Sequence, residues 1–267
     1  MISREELKKC LTGQTMWAGQ NLYVFEETDS TNVQAKYLGE KGEPHGTLIV
    51  ANRQSAGRGR RGRSWESPKG SSISMSVLLR PDFAPDKAPM LTLVMAYSVQ
   101  KALKICTGLE TQIKWPNDIV RNGKKLVGIL TEMSTEINHI NYVVIGVGIN
   151  VNMEAFPEEI KDKATSLRIE AGHAIKQSPI VAEIMKQFEQ DYAGFVSEGD
   201  LSCIREAYDS CLVNRNREVV IHGEKEPYRA LALGISDTGE LRVRIADGSV
   251  KSVYAGEVSV RGVYGYV

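Results

Sequence analysis

The chain has 267 residues, 42% of them apolar and 25% charged, with Lys plus Arg and Asp plus Glu both totalling 33. A net charge of zero supplies no overall field to draw it onto nucleic acid or an anionic membrane, so any site for a polyanion must be local. No apolar run approaches the roughly 20 residues that span a bilayer, and the polar start Ser3-Arg4-Glu5-Glu6 leaves no secretory leader, so a cytoplasmic protein is expected.

In chain order, Ser3 with Glu6 reads as a capping box, and Leu7, Cys10 and Leu11 form one short apolar stripe that stops at Gly13. A single helix before the first strand is too little for a helix-turn-helix, which needs at least two packed helices, so transcriptional repression is not expected. Strands follow at Leu22 to Phe25, at Thr47 to Ala51, and where Ile73, Met75, Val77 and Leu79 alternate with serines or leucine. Asp29-Ser30-Thr31-Asn32 marks a strand-to-helix junction. A longer helix is expected from Pro89 to about Gly108.

Asn122-Gly123 between Ile119-Val120 and Leu126 to Leu130 is a hairpin signal. Tyr142 to Val151 supplies a buried strand, Ser178-Pro179 caps a helix carrying Val181, Ile184, Met185, Phe188 and Tyr192, and Asp200 begins another. Beyond Asn214 only short strand-like pieces remain. The turns His222-Gly223, Thr238-Gly239 and Asp247-Gly248 recur at the spacing of a small barrel, which predicts a large domain over 1–213 and a small β domain over 214–267. The four cysteines and four histidines lack any paired spacing, against a Cys/His metal site.

The sharpest feature is Gly57-Arg58-Gly59-Arg60-Arg61-Gly62-Arg63-Ser64-Trp65, with four arginines and three glycines in its first seven positions. It satisfies G-x-G-x-x-G, and Asp82 stands where a dinucleotide fold would place its ribose carboxylate. That fold requires a helix directly after the glycines, whereas Ser67-Pro68-Lys69-Gly70-Ser71 breaks the chain. Glycines let backbone fold closely round a ligand and guanidinium forks donate to phosphate or carboxylate oxygens, so an anion clamp is one reading and a nucleic-acid contact another. Lys114-Trp115-Pro116-Asn117-Asp118 brings a cation and two oxygen donors, Lys125 follows across the hairpin, and Gly146-Val147-Gly148-Ile149-Asn150 closes a strand with glycines and an amide.

These segments, in this order and spacing, resemble the biotin protein ligases from about Asn21 to the C-terminus. The resemblance implies an α+β fold: a central mixed β-sheet flanked by helices, like class II synthetases, followed by a small SH3-like β-barrel. It implies an enzyme that activates biotin with ATP and Mg²⁺ to biotinyl-5′-AMP and passes biotin to a lysine of the biotin carboxyl carrier protein domain of a carboxylase.

By the same resemblance, Ser30, Thr31, Asn32 and Gln54 face the ureido ring and sulfur of biotin, with Gly128, Gly146 and Gly148 admitting the ring. Arg58, Gly59 and Arg60 close over the carboxylate and phosphate, and Lys125 adds a charge there, so Arg58, Arg60 and Lys125 are the expected catalytic residues. Arg61, Lys114, Asn117 and Asn150 join Arg58 and Arg60 at the nucleotide, Trp65 stacks on adenine, and Asp118 with Asn117 holds Mg²⁺. Relatives with a DNA-binding head can present a second tryptophan where this chain reads Lys163-Ala164-Thr165-Ser166-Leu167, so no second stacking partner is carried over.

A lipoate or octanoate ligase is the nearest rival, but a plain acyl chain has less use for the polar Ser30 to Asn32 and Gln54 cluster. Against a nucleic-acid binder stand the zero charge and the lack of a basic stripe. Oligomeric state is left open between monomer and homodimer.

Overall fold

A computed structural model describes residues 1–62, 68–137, 139–223, 226–255, 259–262 and 266–267, without the side chains of Arg61 and Ser259. Helix α1 (Arg4–Leu11) starts as its sequence dictates, with the Ser3 hydroxyl accepting the Glu6 N–H at 3.1 Å and Leu7 and Leu11 buried. Then come β1 (Leu22–Phe25), α2 (Thr31–Glu40), β2 (Thr47–Ala51), β3 (Ser72–Leu79), α3 (Leu91–Thr107), β4 (Gln112–Lys114), β5 (Asp118–Arg121), β6 (Lys124–Glu136) and β7 (His139–Asn150). Helices α4 (Leu167–Ala171), α5 (Gln177–Glu198) and α6 (Ser202–Cys211) precede β8 (Glu218–His222), β9 (Tyr228–Ile235), β10 (Leu241–Arg244), β11 (Val250–Val253) and β12 (Ser259–Gly262).

Strands β1 to β7 form one mixed sheet in the order β1-β2-β3-β7-β6-β5-β4, with β1 and β2 parallel and the other neighbours antiparallel. Both faces are covered. Ile49, Leu78 and Val144 pack under α2 with Ala35, while Leu48, Val77, Val143 and Ile145 join the larger core with residues of α3 and α5. Double burial explains why β2 and β3 read as nearly unbroken apolar runs. The hairpin turn places Asn122 at φ 50° and Gly123 at φ 75°, the pair of positive angles that a two-residue turn of this kind demands.

Three boundaries differ from the sequence reading. Residues Pro85–Met90 form a 3₁₀ turn, so α3 begins at Leu91; Pro89, lacking an N–H, belongs to the helix entry. Ser178 and Pro179 lie inside the first turn of α5, where backbone N–H groups have no helical partner to lose. Helix α6 begins at Ser202, with Asp200 Oδ1 accepting its N–H at 2.8 Å.

Strands β8 to β12 make an antiparallel sheet in the order β11-β10-β9-β8-β12, where the small barrel is expected. The two sheets are joined tightly. Buried Trp115 donates its indole N–H to the Gly239 carbonyl at 3.0 Å, the Ile235 N–H donates to Asp209 Oδ1 at 2.9 Å, and one apolar cluster runs through both units.

Candidate active site

The sheet register builds the floor of a cavity. Ser74, Gly148 and Gly128 lie side by side on β3, β7 and β6, and Ser76, Gly146 and Leu130 form the next row on the same face. Small residues in adjacent strands leave a trench that large side chains would fill. A carbon added at Gly146 would stand 2.1 Å from Asn32 Oδ1, so that position must stay bare.

The walls come from two loops paired to one another. Thr28 and Gln54 form an isolated parallel bridge that prolongs the β1–β2 pairing, and Ser55 and Ala56 donate N–H to the carbonyls of Thr28 and Asp29. This brings Gln54 Oε1 to the start of α2, where it accepts the Thr31 N–H at 2.8 Å. Ser30, the residue before that helix, makes no side-chain cap bond and is buried at the cavity.

The lining of the resulting cavity, which opens to solvent, includes Ser30, Thr31, Asn32, Gln54, Arg58, Gly59, Arg60, Asn117, Lys125, Gly128, Gly146 and Gly148. That lining joins neutral hydrogen-bonding groups to three cations. Arg60 donates to Asn117 Oδ1 at 2.8 Å and to the Ala255 carbonyl at 2.5 Å, so the glycine-arginine loop is tied both to the main sheet and to the C-terminal unit. The backbone of Lys125 is held on its far side by a strap: it donates to the Lys163 carbonyl at 2.7 Å and accepts from the Thr165 N–H at 2.9 Å.

Other expected residues stand elsewhere. Asn150 lies outside the cavity lining, donating to the Thr165 carbonyl at 3.1 Å and so holding that strap. Lys114 lies 3.7 Å from the ring centre of Tyr266, also outside the lining. Trp65 and the Arg61 side chain fall outside the described residues.

Asp118 and Asn117 do not fit a metal-ligand pair as they stand. One Asp118 oxygen faces Lys125 Nζ at 2.7 Å, the other accepts from the Tyr266 hydroxyl, and Asn117 Oδ1 receives Arg60. Among the described residues no group of three or more His, Cys, Asp or Glu side chains could hold a metal ion. Asp118 instead holds a cavity lysine.

Sequence reasoning missed Ser74, Ser76, Leu130 and Glu132. The serines of β3 carried a signal, since polar residues alternating inside a doubly buried strand must face something polar. Ser76 Oγ is 2.7 Å from Asn32 Oδ1 and 2.8 Å from Thr31 Oγ1.

A trench with uncharged hydrogen-bonding groups, two arginines and a lysine in its lining offers contacts to a ligand that carries both neutral polar and anionic groups. A model of the Biotin/lipoate A/B protein ligase family matches residues 24–150, and one of the biotin protein ligase C-terminal domain matches 216–261. The bifunctional ligase/repressor BirA of Bacillus subtilis is 38% identical over 263 residues, covering 97% of this chain and 79% of that protein. The biotin–[acetyl-CoA-carboxylase] ligase of Paracoccus denitrificans is 31% identical over 226 residues, 83% of this chain and 93% of that one.

Among solved structures, the biotin protein ligase from Aquifex aeolicus in complex with biotin and ATP superposes with a TM-score of 0.80 at 32% identity, covering 91% of this chain and 99% of that chain. The Leishmania major enzyme in complex with biotinyl-5-AMP superposes with a TM-score of 0.58 at 25% identity, covering 88% and 99%. The chain belongs to the biotin protein ligase family and is an enzyme of the ligase class.

Proposed function

We propose that this enzyme activates biotin with ATP to biotinyl-5′-AMP and transfers biotin to a lysine of the biotin carboxyl carrier protein domain of a carboxylase. The observation that carries this reading is the cavity's lining, which joins the neutral hydrogen-bonding groups of Ser30, Thr31, Asn32 and Gln54 to the cations Arg58, Arg60 and Lys125. Biotin has that same layout, a neutral ureido ring joined by an apolar chain to a carboxylate. The ring is assigned to Ser30, Thr31, Asn32 and Gln54 over the bare floor at Gly128, Gly146 and Gly148, with Gly59 letting the loop close.

In the first step the carboxylate oxygen attacks the α-phosphorus of ATP and pyrophosphate leaves. Two anions must approach, and the preset guanidinium and ammonium groups of Arg58, Arg60 and Lys125 stabilise the charge that builds on the phosphoryl oxygens. In the second step the carrier lysine's amine attacks the acyl carbon, a proton is lost, and AMP departs. Asn117 and Lys114 are assigned to the nucleotide side, together with Arg61, Trp65 and Asn150. Any Mg²⁺ requirement is assigned to the cation that ATP carries, since Asp118 is engaged by Lys125 and Tyr266.

The chain is assigned a catalytic unit over 1–213 and a C-terminal unit over 214–267. No repressor role is proposed for helix α1, which buries Leu7 and Leu11 in the enzyme's own core. A cytoplasmic site of action is proposed with the acceptor; no described helix is long and apolar enough to cross a membrane.

Two measurements test the reading. Titration calorimetry should give heat with biotin and none with lipoate, and mass spectrometry after incubation with biotin, MgATP and a carrier domain should give one added biotin per acceptor. Heat with lipoate alone would refute it.

A further inference from the structure

Glu132 lies on β6 beyond the cavity floor, and the reaction just described does not use it. Its Oε2 accepts from Asn32 Nδ2 at 2.8 Å, and its Oε1 is paired with Lys36 Nζ, one turn along α2 from Asn32. An exposed ion pair alone contributes little. Here, though, the second oxygen reaches Asn32, which is only 4% exposed and also donates to the Leu130 carbonyl at 3.3 Å. Burial works to raise the Glu132 carboxyl, but hydrogen bonds from Lys36 and Asn32 and the charges of Lys36 and Arg58 outweigh it and hold the group below its usual range.

A carboxylate can only accept, so it fixes which end of the Asn32 amide points where. With Nδ2 turned to Glu132, Oδ1 must face Ser76, and Ser76 must give it its single proton across 2.7 Å. Thr31 Oγ1, 2.8 Å from Ser76 Oγ, is the other acceptor in reach of that proton and loses it to the oriented amide. The Thr31 hydroxyl gives its own proton to Gln54 Oε1 at 3.1 Å, which also takes the Thr31 N–H at 2.8 Å. The outcome is a Thr31 oxygen whose proton is committed to Gln54 and whose lone pairs are left to accept. Gly146 guards the arrangement from below, since its missing side chain is what gives Asn32 Oδ1 its place.

We propose that Glu132, anchored by Lys36, is a positioning residue that orients the Asn32 amide and, through Ser76, sets Thr31 as an acceptor for a ring N–H of the ligand. This rests on the biotin-pocket reading above and deepens it: the pocket selects a cyclic urea by its N–H group as well as by its shape. The ligand never touches Glu132.

The test uses the full-length protein and its Glu132→Ala, Glu132→Gln and Ser76→Ala variants, with biotin-dependent ATP–pyrophosphate exchange and calorimetry on biotin and on a biotin methylated at both ureido nitrogens. Glu132→Ala and Ser76→Ala should each raise the KM for biotin about tenfold or more while kcat at saturating biotin stays within about twofold, the size of one mispaired buried hydrogen bond. Glu132→Gln, whose amide oxygen can still accept from Asn32, should recover most of the loss. Wild type should reject the methylated analogue more strongly than Glu132→Ala does.

A wild-type biotin KM in Glu132→Ala overturns the proposal, as does equal impairment of the Gln and Ala variants. If Glu132→Ala does not fold, an unchanged KM in Ser76→Ala overturns it. Absence of biotin binding by the wild-type chain would instead remove the underlying reading, and is seen before any variant is made.

Discussion

Gly146 and Asp118 show how single positions decide the site. An alanine at 146 would put its methyl carbon 2.1 Å from Asn32 Oδ1, so Asn32 must swing away and its links to Ser76 and Glu132 must break. Gly146→Ala is therefore expected to weaken biotin binding roughly tenfold or more, the cost of at least one lost buried hydrogen bond, by calorimetry. Asp118→Asn removes the charge that holds Lys125 at 2.7 Å. Adenylation in a single-turnover assay should slow, with the Mg²⁺ concentration for half-maximal rate unchanged; a shift in that concentration would restore Asp118 as a metal ligand. The sequence displayed Asp118 as an oxygen donor beside Asn117, but not that Lys125, seven positions on, would claim it. Glu132 was equally hidden, since its partners lie on α2 and the relay beyond them on β3, brought together only by the fold. Ser30 to Asn32, Gln54, Arg58 to Arg60, Asn117 and Lys125 do meet round one cavity, as their spacing in the family pattern implied.

Among the elements, those with strong local signals were readable to the residue. Strands β1 and β2 fall where apolar runs and flanking polar residues put them, and Asn122-Gly123 fixed the hairpin. Helix α4 was missed because five residues give no periodicity, and it depends on Ser166 accepting the Ile169 N–H at 3.2 Å. Strand β6 runs further than its apolar segment because β7 pairs with its backbone as far as Glu136, where side chains are polar and half-exposed. The turn before β2 carries His45, whose ring lies 4.4 Å from Trp17 and 5.4 Å from Tyr192 of α5 and whose Nδ1 accepts the Arg80 N–H at 3.0 Å. Burial pushes the His45 imidazolium below its ordinary 6.5, so the fold favours the neutral ring. The unfolded chain takes up the proton first as pH falls, so stability is full above about pH 6.5 and declines below it. Melting temperatures across pH 7 to 5 should show that decline, flattened in His45→Asn, which keeps an acceptor for Arg80.

At the scale of the molecule, the clamp over the cavity is shared between two units. Arg60 leaves the first, reaches Asn117 beside the trench and ends on the Ala255 carbonyl of the second. Arg60→Gly severs both links while leaving the ring pocket intact. Adenylate should still form but escape, so that lysines on bystander proteins become labelled; complete retention in a dialysis or gel-filtration release assay would contradict this. The small C-terminal sheet thus serves as an anchorage for the loop, a role that its strand pattern did not disclose.

The trench floor has a further consequence. Gly146 and Gly148 belong to β7, which is paired with β3 on one side and β6 on the other, so their amides should exchange with heavy water only when the sheet itself opens. The trench floor is therefore rigid before any ligand arrives. Ordering on capture should then fall on the side chains around the trench, Arg58 and Arg60 among them, rather than on its bed.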